Sequence, residues 1–348
     1  MKVLHLAPLW FPVADDAAGG RETLLAGLMR ALADLGCQNT LIATGDSRAL
    51  ATLVPAVEAG LFALMGERKA FDYAFYETHQ LALAVERAAD FAVVHSHIGE
   101  RGFWLSSVPA LHGRVLHTYH TPVWEDLEWF VRQHPDYWYS TVSEFQAGKF
   151  RRNGATRCSV IPNGIDLARF RFQPGPGAGL AFLGRMERVK GPDLAVRGAQ
   201  TLGESLTLAG PIIEHDYFTA EIEPHLNDRI RYIGTVNRDQ RNELFGRAAC
   251  AVLPFRGAES FGLVTVEAMA CGTPVVALAN GALAEIIEPG VTGYLTRAET
   301  ALAGLVIEAQ KLPRAGVRQR MAARFDLAAV ARQYRDLYEK IRAANAGR

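Results

Sequence analysis

Short apolar runs alternate with longer amphipathic stretches along the whole chain. The pattern predicts strands at 3–7, 40–44, 92–95, 115–118, 139–142 and 159–161, and again at 180–183, 206–209, 230–233, 251–254 and 274–277. These runs are mostly apolar rather than alternating, as parallel strands covered on both faces are. After the first run, Leu24, Leu25, Leu28, Leu32 and Leu35 share one face of a helix expected over 22–35, which Gly36 stops. Strands alternating with helices give an α/β fold built on parallel sheets. The series restarts near residue 180, so two such sheets are expected. Gln173, Pro174, Gly175, Pro176 and Gly177 favour neither helix nor strand and read as the linker, which puts the domains at 1–170 and 171–326. A last apolar stripe, Val330, Tyr334, Leu337, Tyr338 and Ile341, predicts a terminal helix at about 327–345.

Composition narrows the classes. The 348 residues are roughly two domains' worth of chain. With 49% hydrophobic and 21% charged residues, disordered and collagenous chains are excluded. Lys plus Arg (37) balances Asp plus Glu (37), which argues against a nucleic-acid partner held by bulk positive charge. Residues 311–348 are locally basic, with ten Lys/Arg against three Asp/Glu. That segment reads as a solvated helix face or, second, as a weak peripheral contact with an anionic membrane. Cys37, Cys158, Cys250 and Cys271 stand far apart without a C-x-x-C pair, which suits a cytoplasmic location and neither a disulfide framework nor a zinc finger. No run reaches the roughly 18–20 apolar residues of a membrane-spanning helix. Lys2 ahead of an apolar run superficially resembles a signal peptide, but His5, Pro8 and Pro12 interrupt it, so the start reads as a strand.

Candidate chemistry clusters after strands. Arg185 and Lys190, in Gly184-Arg185-Met186-Glu187-Arg188-Val189-Lys190-Gly191, follow the run 180–183, where open parallel sheets bind ligands. An arginine fork and a lysine point charge can hold a diphosphate; alternatively, both are solvated loop charges. A helix expected from about Leu263 would leave the amides of Phe261, Gly262, Leu263 and Val264 unpaired, a seat for phosphate. Glu259 precedes that helix and Glu267 lies inside it. Each carboxylate can take two sugar hydroxyls; alternatively Glu267 is an exposed helical residue and Glu259 a first-turn acid favoured by the helix dipole. Six of the ten histidines fall within 95–134, with His97 and His120 just past strands and His95 and His117 reading as strand-end caps. His95 and His97, two apart on one strand face, raise the alternative of a zinc-dependent hydrolase, although no partner carboxylate stands at a matching strand end. Trp124 and Trp129, flanked by Glu125, Asp126 and Glu128, are the aromatic pair expected to be exposed.

Several motifs occur in one order: Gly19-Gly20-Arg21-Glu22, VIPNGID at 160–166, GRMERVKG at 184–191, LAGP at 208–211, RIRYIGTV at 229–236, the E-x7-E frame of Glu259 and Glu267, and AEIIEPGVTGYL at 284–295. Together they make the chain resemble glycosyltransferase family 4 over nearly its whole length. The resemblance implies a GT-B architecture, two Rossmann-like domains facing across a cleft. The acceptor side would be 1–170, the donor side 171–326, and the terminal helix would pack back on the first domain. It implies retaining transfer of a sugar from a nucleoside diphosphate sugar to a hydroxyl of a carbohydrate, lipid or secondary metabolite, with no cofactor. No D-x-D triplet occurs, so no catalytic metal is expected. By the same resemblance Arg185 and Lys190 neutralise the leaving diphosphate, and Glu259 binds the transferred sugar beside the amides of Phe261, Gly262 and Leu263. Glu267 takes the ribose, Gly234 and Val236 lie near the base, and the Gly19-Gly20 loop approaches the donor phosphates or sugar. His120 contacts the sugar at the reaction centre, with His97, Trp124 and Trp129 on the acceptor side. A nucleotide-sugar-binding protein without transfer activity is the remaining alternative. The motifs leave the sugar, base, acceptor and oligomeric state open.

Overall fold

Seven strands, β1 (Lys2–Leu6), β2 (Gln38–Thr44), β3 (Thr52–Val57), β4 (Val93–Ser96), β5 (Val115–Tyr119), β6 (Trp138–Thr141) and β7 (Cys158–Val160), form one sheet in the order β3-β2-β1-β4-β5-β6-β7. Six more, β8 (Leu180–Leu183), β9 (Leu206–Ala209), β10 (Ile230–Tyr232), β11 (Cys250–Leu253), β12 (Val275–Leu278) and β13 (Gly293–Thr296), form a second in the order β10-β9-β8-β11-β12-β13. Every pairing is parallel. The computed structural model describes residues 1–17 and 19–346. In each sheet the order reverses beside the first strand, between β1 and β4 and between β8 and β11. Crossovers leave to opposite sides there and open a crevice at the carboxyl ends, the usual ligand position of such sheets.

The edge strands β3 and β13 are additional to the expected runs. Pro55 inside β3 removes a ladder donor, which an edge position tolerates, and β13 starts on Gly293 and is only partly buried. The chain divides into two units, Met1–Gly164 together with the segment from Leu327, and Ile165–Asp326. The changeover thus comes earlier than the expected boundary after residue 170. The proline- and glycine-rich stretch is no free linker: Gln173 N–H donates to Cys271 O, Arg314 Nε donates to Gln173 O at 2.8 Å, and Ala178 N–H donates to Arg247 O at 2.7 Å. Those bonds fasten it inside the second unit.

The last helix, Leu327–Asn345, buries Val330, Ala331, Tyr334, Leu337, Tyr338 and Ile341 in one core with Leu25, Leu28 and Leu32 of the helix Gly20–Asp34. The basic segment is not simply a solvated face. Arg314 is only 8% exposed and donates to the carbonyls of Gln173, Gly246 and Ala248. Arg318 donates to Phe170 and Leu167, and Arg324 to Ile286. These three guanidiniums satisfy backbone oxygens, so part of the local positive charge is used within the second unit. All four cysteines are free thiols. Among the described residues no helix is long and apolar enough to cross a membrane.

Candidate active site

In the second unit two loops meet where the strand order reverses. Lys190 ends the 3-10 turn Arg188–Lys190 after β8, and Glu259 lies in the loop after β11. Lys190 Nζ donates to Glu259 Oε1 and stands 4.6 Å from the centroid of the Phe255 ring. Both side chains are 19% exposed, so the pair borders solvent without being bathed in it. Gly191 permits the approach: its φ is +67°, and a Cβ there would lie 2.5 Å from Pro254 O. Arg256 stitches the loops together, donating to Asp193 Oδ1 at 2.7 Å, Asp193 Oδ2 at 2.8 Å and Arg188 O at 3.1 Å. Its own backbone N–H donates to Val189 O at 2.9 Å. Burial works to raise the Asp193 pKa, but hydrogen bonds from Arg256 and Tyr217 hold it below its ordinary value. Gly281 fixes Glu259 from the other side, through a β-bridge and the Ala282 N–H, which donates to Glu259 O at 2.8 Å.

The helix Leu263–Ala270 starts from Gly262 with no side-chain cap, so its leading amides remain available to an anion. Ser260 Oγ and Thr265 Oγ1 beside them are buried without hydrogen-bond partners. Glu267 is 9% exposed, which sets aside its reading as an exposed helical residue. Arg241 Nη1 donates to its Oε1, while Oε2 has no partner. Burial raises the Glu267 pKa and Arg241 opposes the rise. Arg185 is 55% exposed in its side chain and pairs with Glu187 at 2.7 Å. Gly234 O accepts from Gly210 N–H at 2.8 Å, and Val236, 9% exposed, follows shortly after β10.

In the first unit the histidines form a column. His5 of β1 and His95 of β4 are register partners with ring centroids 5.6 Å apart, and the His95 and His97 centroids are 3.8 Å apart. His97 Nδ1 lies 3.2 Å from His120 Nε2. His95 places its two nitrogens 2.6 Å from Tyr338 Oη and 2.6 Å from Thr118 Oγ1, and His117 Nε2 is 2.7 Å from Ser106 Oγ. Burial lowers the His5 pKa to about 4 and those of His117 and His120 to about 3. His95 and His97 are also pushed well below the ordinary value by burial. All five are therefore neutral near pH 7. The Gly19 turn caps the helix Gly20–Asp34 without a side-chain hydrogen bond, and Glu22 in its first turn is buried.

Residues 18–169 match the family described as Glycosyltransferase Family 4, and residues 177–311 match Glycosyl transferases group 1. The D-inositol 3-phosphate glycosyltransferase of Kribbella flavida is 30% identical, over 84% of this chain and 82% of that protein. The chain belongs to glycosyltransferase family 4. AviGT4, a glycosyltransferase involved in avilamycin A biosynthesis, superposes with a TM-score of 0.73 at 25% identity, over 98% of each chain. Anabaena Alr3699/HepE, solved with UDP-glucose, shares the fold with a TM-score of 0.71 at 17% identity, covering 98% of this chain and 100% of that one. The protein is thus a glycosyltransferase with the two Rossmann-like units of the GT-B class, and the zinc-hydrolase alternative is corrected. His5, His95 and His97 do bring one ring nitrogen each within 4.8 Å of one another, but both His95 nitrogens already face hydroxyls.

Within this glycosyltransferase the structure brings Lys190 to Glu259 and His97 to His120. Arg185 forms its ion pair with Glu187 of the same loop. His97 is 1% exposed, with its Nδ1 against His120 Nε2. Trp124 and Trp129 are 67% and 58% exposed. Sequence reasoning missed Arg241, Asp193 and Arg256, each defined by a partner on another element. The sole prior signal was positional: Asp193 and Arg256 flank the two motif loops.

Proposed function

We propose that this glycosyltransferase takes its sugar from a nucleoside diphosphate and passes it to an acceptor hydroxyl with retention at the anomeric carbon. The observation that carries the reading is the meeting of Lys190, Glu259 and the uncapped helix start at Gly262 where the second sheet's order reverses. Charge developing on a departing diphosphate is what a fixed cation and amide dipoles stabilise best. The fold shared with the UDP-glucose-bound Alr3699/HepE supports a nucleotide-sugar donor; retention rests on the motif resemblance.

In this reading Lys190 and Arg185 face the diphosphate, with the amides of Phe261, Gly262 and Leu263 beside it. Lys190 exchanges part of its bond to Glu259 for a phosphate oxygen, which frees Glu259 for hydroxyls of the transferred sugar. Glu267 takes the ribose, Gly234 and Val236 border the base, and the Gly19-Gly20 loop keeps the donor role that the motif resemblance implies. His120, with a pKa near 3, acts as a neutral hydrogen-bonding group toward the sugar and not as a proton acceptor. Trp124 and Trp129 offer stacking faces to an acceptor. Lys190 and Arg185 do the neutralising in this reading, so transfer is expected to survive EDTA.

Lys190→Ala, Glu259→Ala and His120→Ala should each lower kcat/KM by roughly 100-fold or more, with circular dichroism unchanged. Near-normal turnover in all three would sink the assignment. A thermal-shift panel of UDP-, GDP-, ADP- and TDP-sugars identifies the donor, because a ligand that binds only the folded state raises Tm by mass action. Inositol phosphate heads the acceptor screen, given the name of the Kribbella relative. Tight nucleotide binding with no transfer to any acceptor would favour a binding protein.

A further inference from the structure

The ion pair of Arg241 and Glu267 is half finished. Glu267 stands in the middle of a helix whose neighbouring residues Val266, Ala268 and Met269 are all buried. Arg241 reaches it from the helix Arg238–Arg247, and only one of its N–H groups is used on Glu267 Oε1. Glu267 Oε2 and Arg241 Nε are both buried and have no hydrogen-bond partner. Two charges withdrawn from water stabilise a fold only when their remaining lone pairs and protons are also satisfied. Here one acceptor and one donor are left over, within a single ion pair. A hydroxyl uses both, donating to the carboxylate and accepting from the guanidinium; a phosphate, which only accepts, does not.

We propose that Arg241 is a positioning residue that aims the Glu267 carboxylate at a ribose hydroxyl and so sets a preference for ribonucleotide over 2′-deoxyribonucleotide donors. This rests on the reading of Glu267 as the ribose contact. Removing the guanidinium leaves the carboxylate alone among apolar neighbours, where burial favours its uncharged form. An uncharged carboxyl is the weaker acceptor, so the grip on a hydroxyl slackens even though Glu267 itself is intact. Lysine at 241 would keep the charge but lose the planar fork.

Isothermal titration of the full-length chain with UDP, GDP and ADP, each beside its 2′-deoxy counterpart, tests this. The wild type is expected to bind at least one ribonucleotide roughly tenfold or more tightly than its deoxy form, the factor that one hydrogen bond to a charged group supplies. Arg241→Met should shrink that ratio to within about threefold, and Arg241→Lys should shrink it partway. A purely structural Arg241 would weaken both nucleotides alike, so an unchanged ratio in Arg241→Met overturns the inference. If that variant does not fold by circular dichroism, the ratio in Arg241→Lys decides, and a wild-type value there overturns it equally. Glu267→Gln separates the two levels. A ratio lost in Glu267→Gln but kept in Arg241→Met leaves the ribose contact standing and removes the inference alone. A ratio kept in Glu267→Gln, or no nucleotide bound by the wild type, removes the ribose contact and the inference together.

Discussion

At the scale of single residues, the donor loops are placed by backbone as much as by charge. Gly281 has φ +62°, and a Cβ there would stand 2.3 Å from Glu259 O and 2.5 Å from Glu259 N. Both atoms are main chain, so nothing flexible can yield. Gly281→Ala is therefore expected to displace Glu259 and lower kcat/KM by on the order of 100-fold, the penalty of an ångström-scale misplacement. Far-ultraviolet circular dichroism should change little, since the strain is confined to one loop. Wild-type turnover in Gly281→Ala would show that the position of Glu259 is immaterial. Lys190 and Glu259 are legible in the sequence because each stands in a contiguous motif just beyond a strand. Arg241 is not, because its pairing with Glu267 exists only once two helices have packed.

Elements show the same division. Apolar runs disclose the interior strands, whereas β3 hides behind Pro55, tolerable because that strand lies at a sheet edge, and β13 behind Gly293, where a Cβ would run into the Val275 backbone. The crowding of histidines is visible along the chain, but its depth is not: His5, His95, His97 and His117 are buried in or just beyond β1, β4 and β5. Folded, the five histidines refuse protons that the unfolded chain accepts below about 6.5. The unfolded state then binds more protons, so stability falls as the pH drops below about 6.5. The loss extends down to about 4 for His5 and about 3 for His117 and His120. Glu22 and Glu77 act in the opposite sense, because burial raises their pKa values, that of Glu77 to about 7, and the folded chain protonates them first. Two carboxyls do not offset five imidazoles. Scanning calorimetry should show the first unit melting several degrees lower at pH 5 than at pH 7.5; an equal or higher Tm at pH 5 would mean that the rings are not buried neutral.

On the scale of the whole molecule, the first unit is completed only by the end of the chain. Leu327, Val330, Tyr334, Leu337, Tyr338 and Ile341 belong to its core, and Tyr338 Oη meets His95. Each such side chain is worth about 1.5–3 kcal/mol when fully buried, so the six together supply about 9–18 kcal/mol, comparable with the roughly 5–15 kcal/mol that holds a domain folded. A chain ending at Asp326 is expected to lose the first unit to limited proteolysis while a second-unit fragment persists. Equal resistance of both units would contradict this. Where the second unit begins and ends, Ile165 and Asp326 pair as a parallel bridge, and Ile165 N–H donates to Phe325 O at 2.7 Å. Its two ends are thus held side by side, like the stem of a leaf. A module attached in that way can be lifted out and exchanged for a homologous one at two adjacent cuts, with every strand of the first sheet left whole.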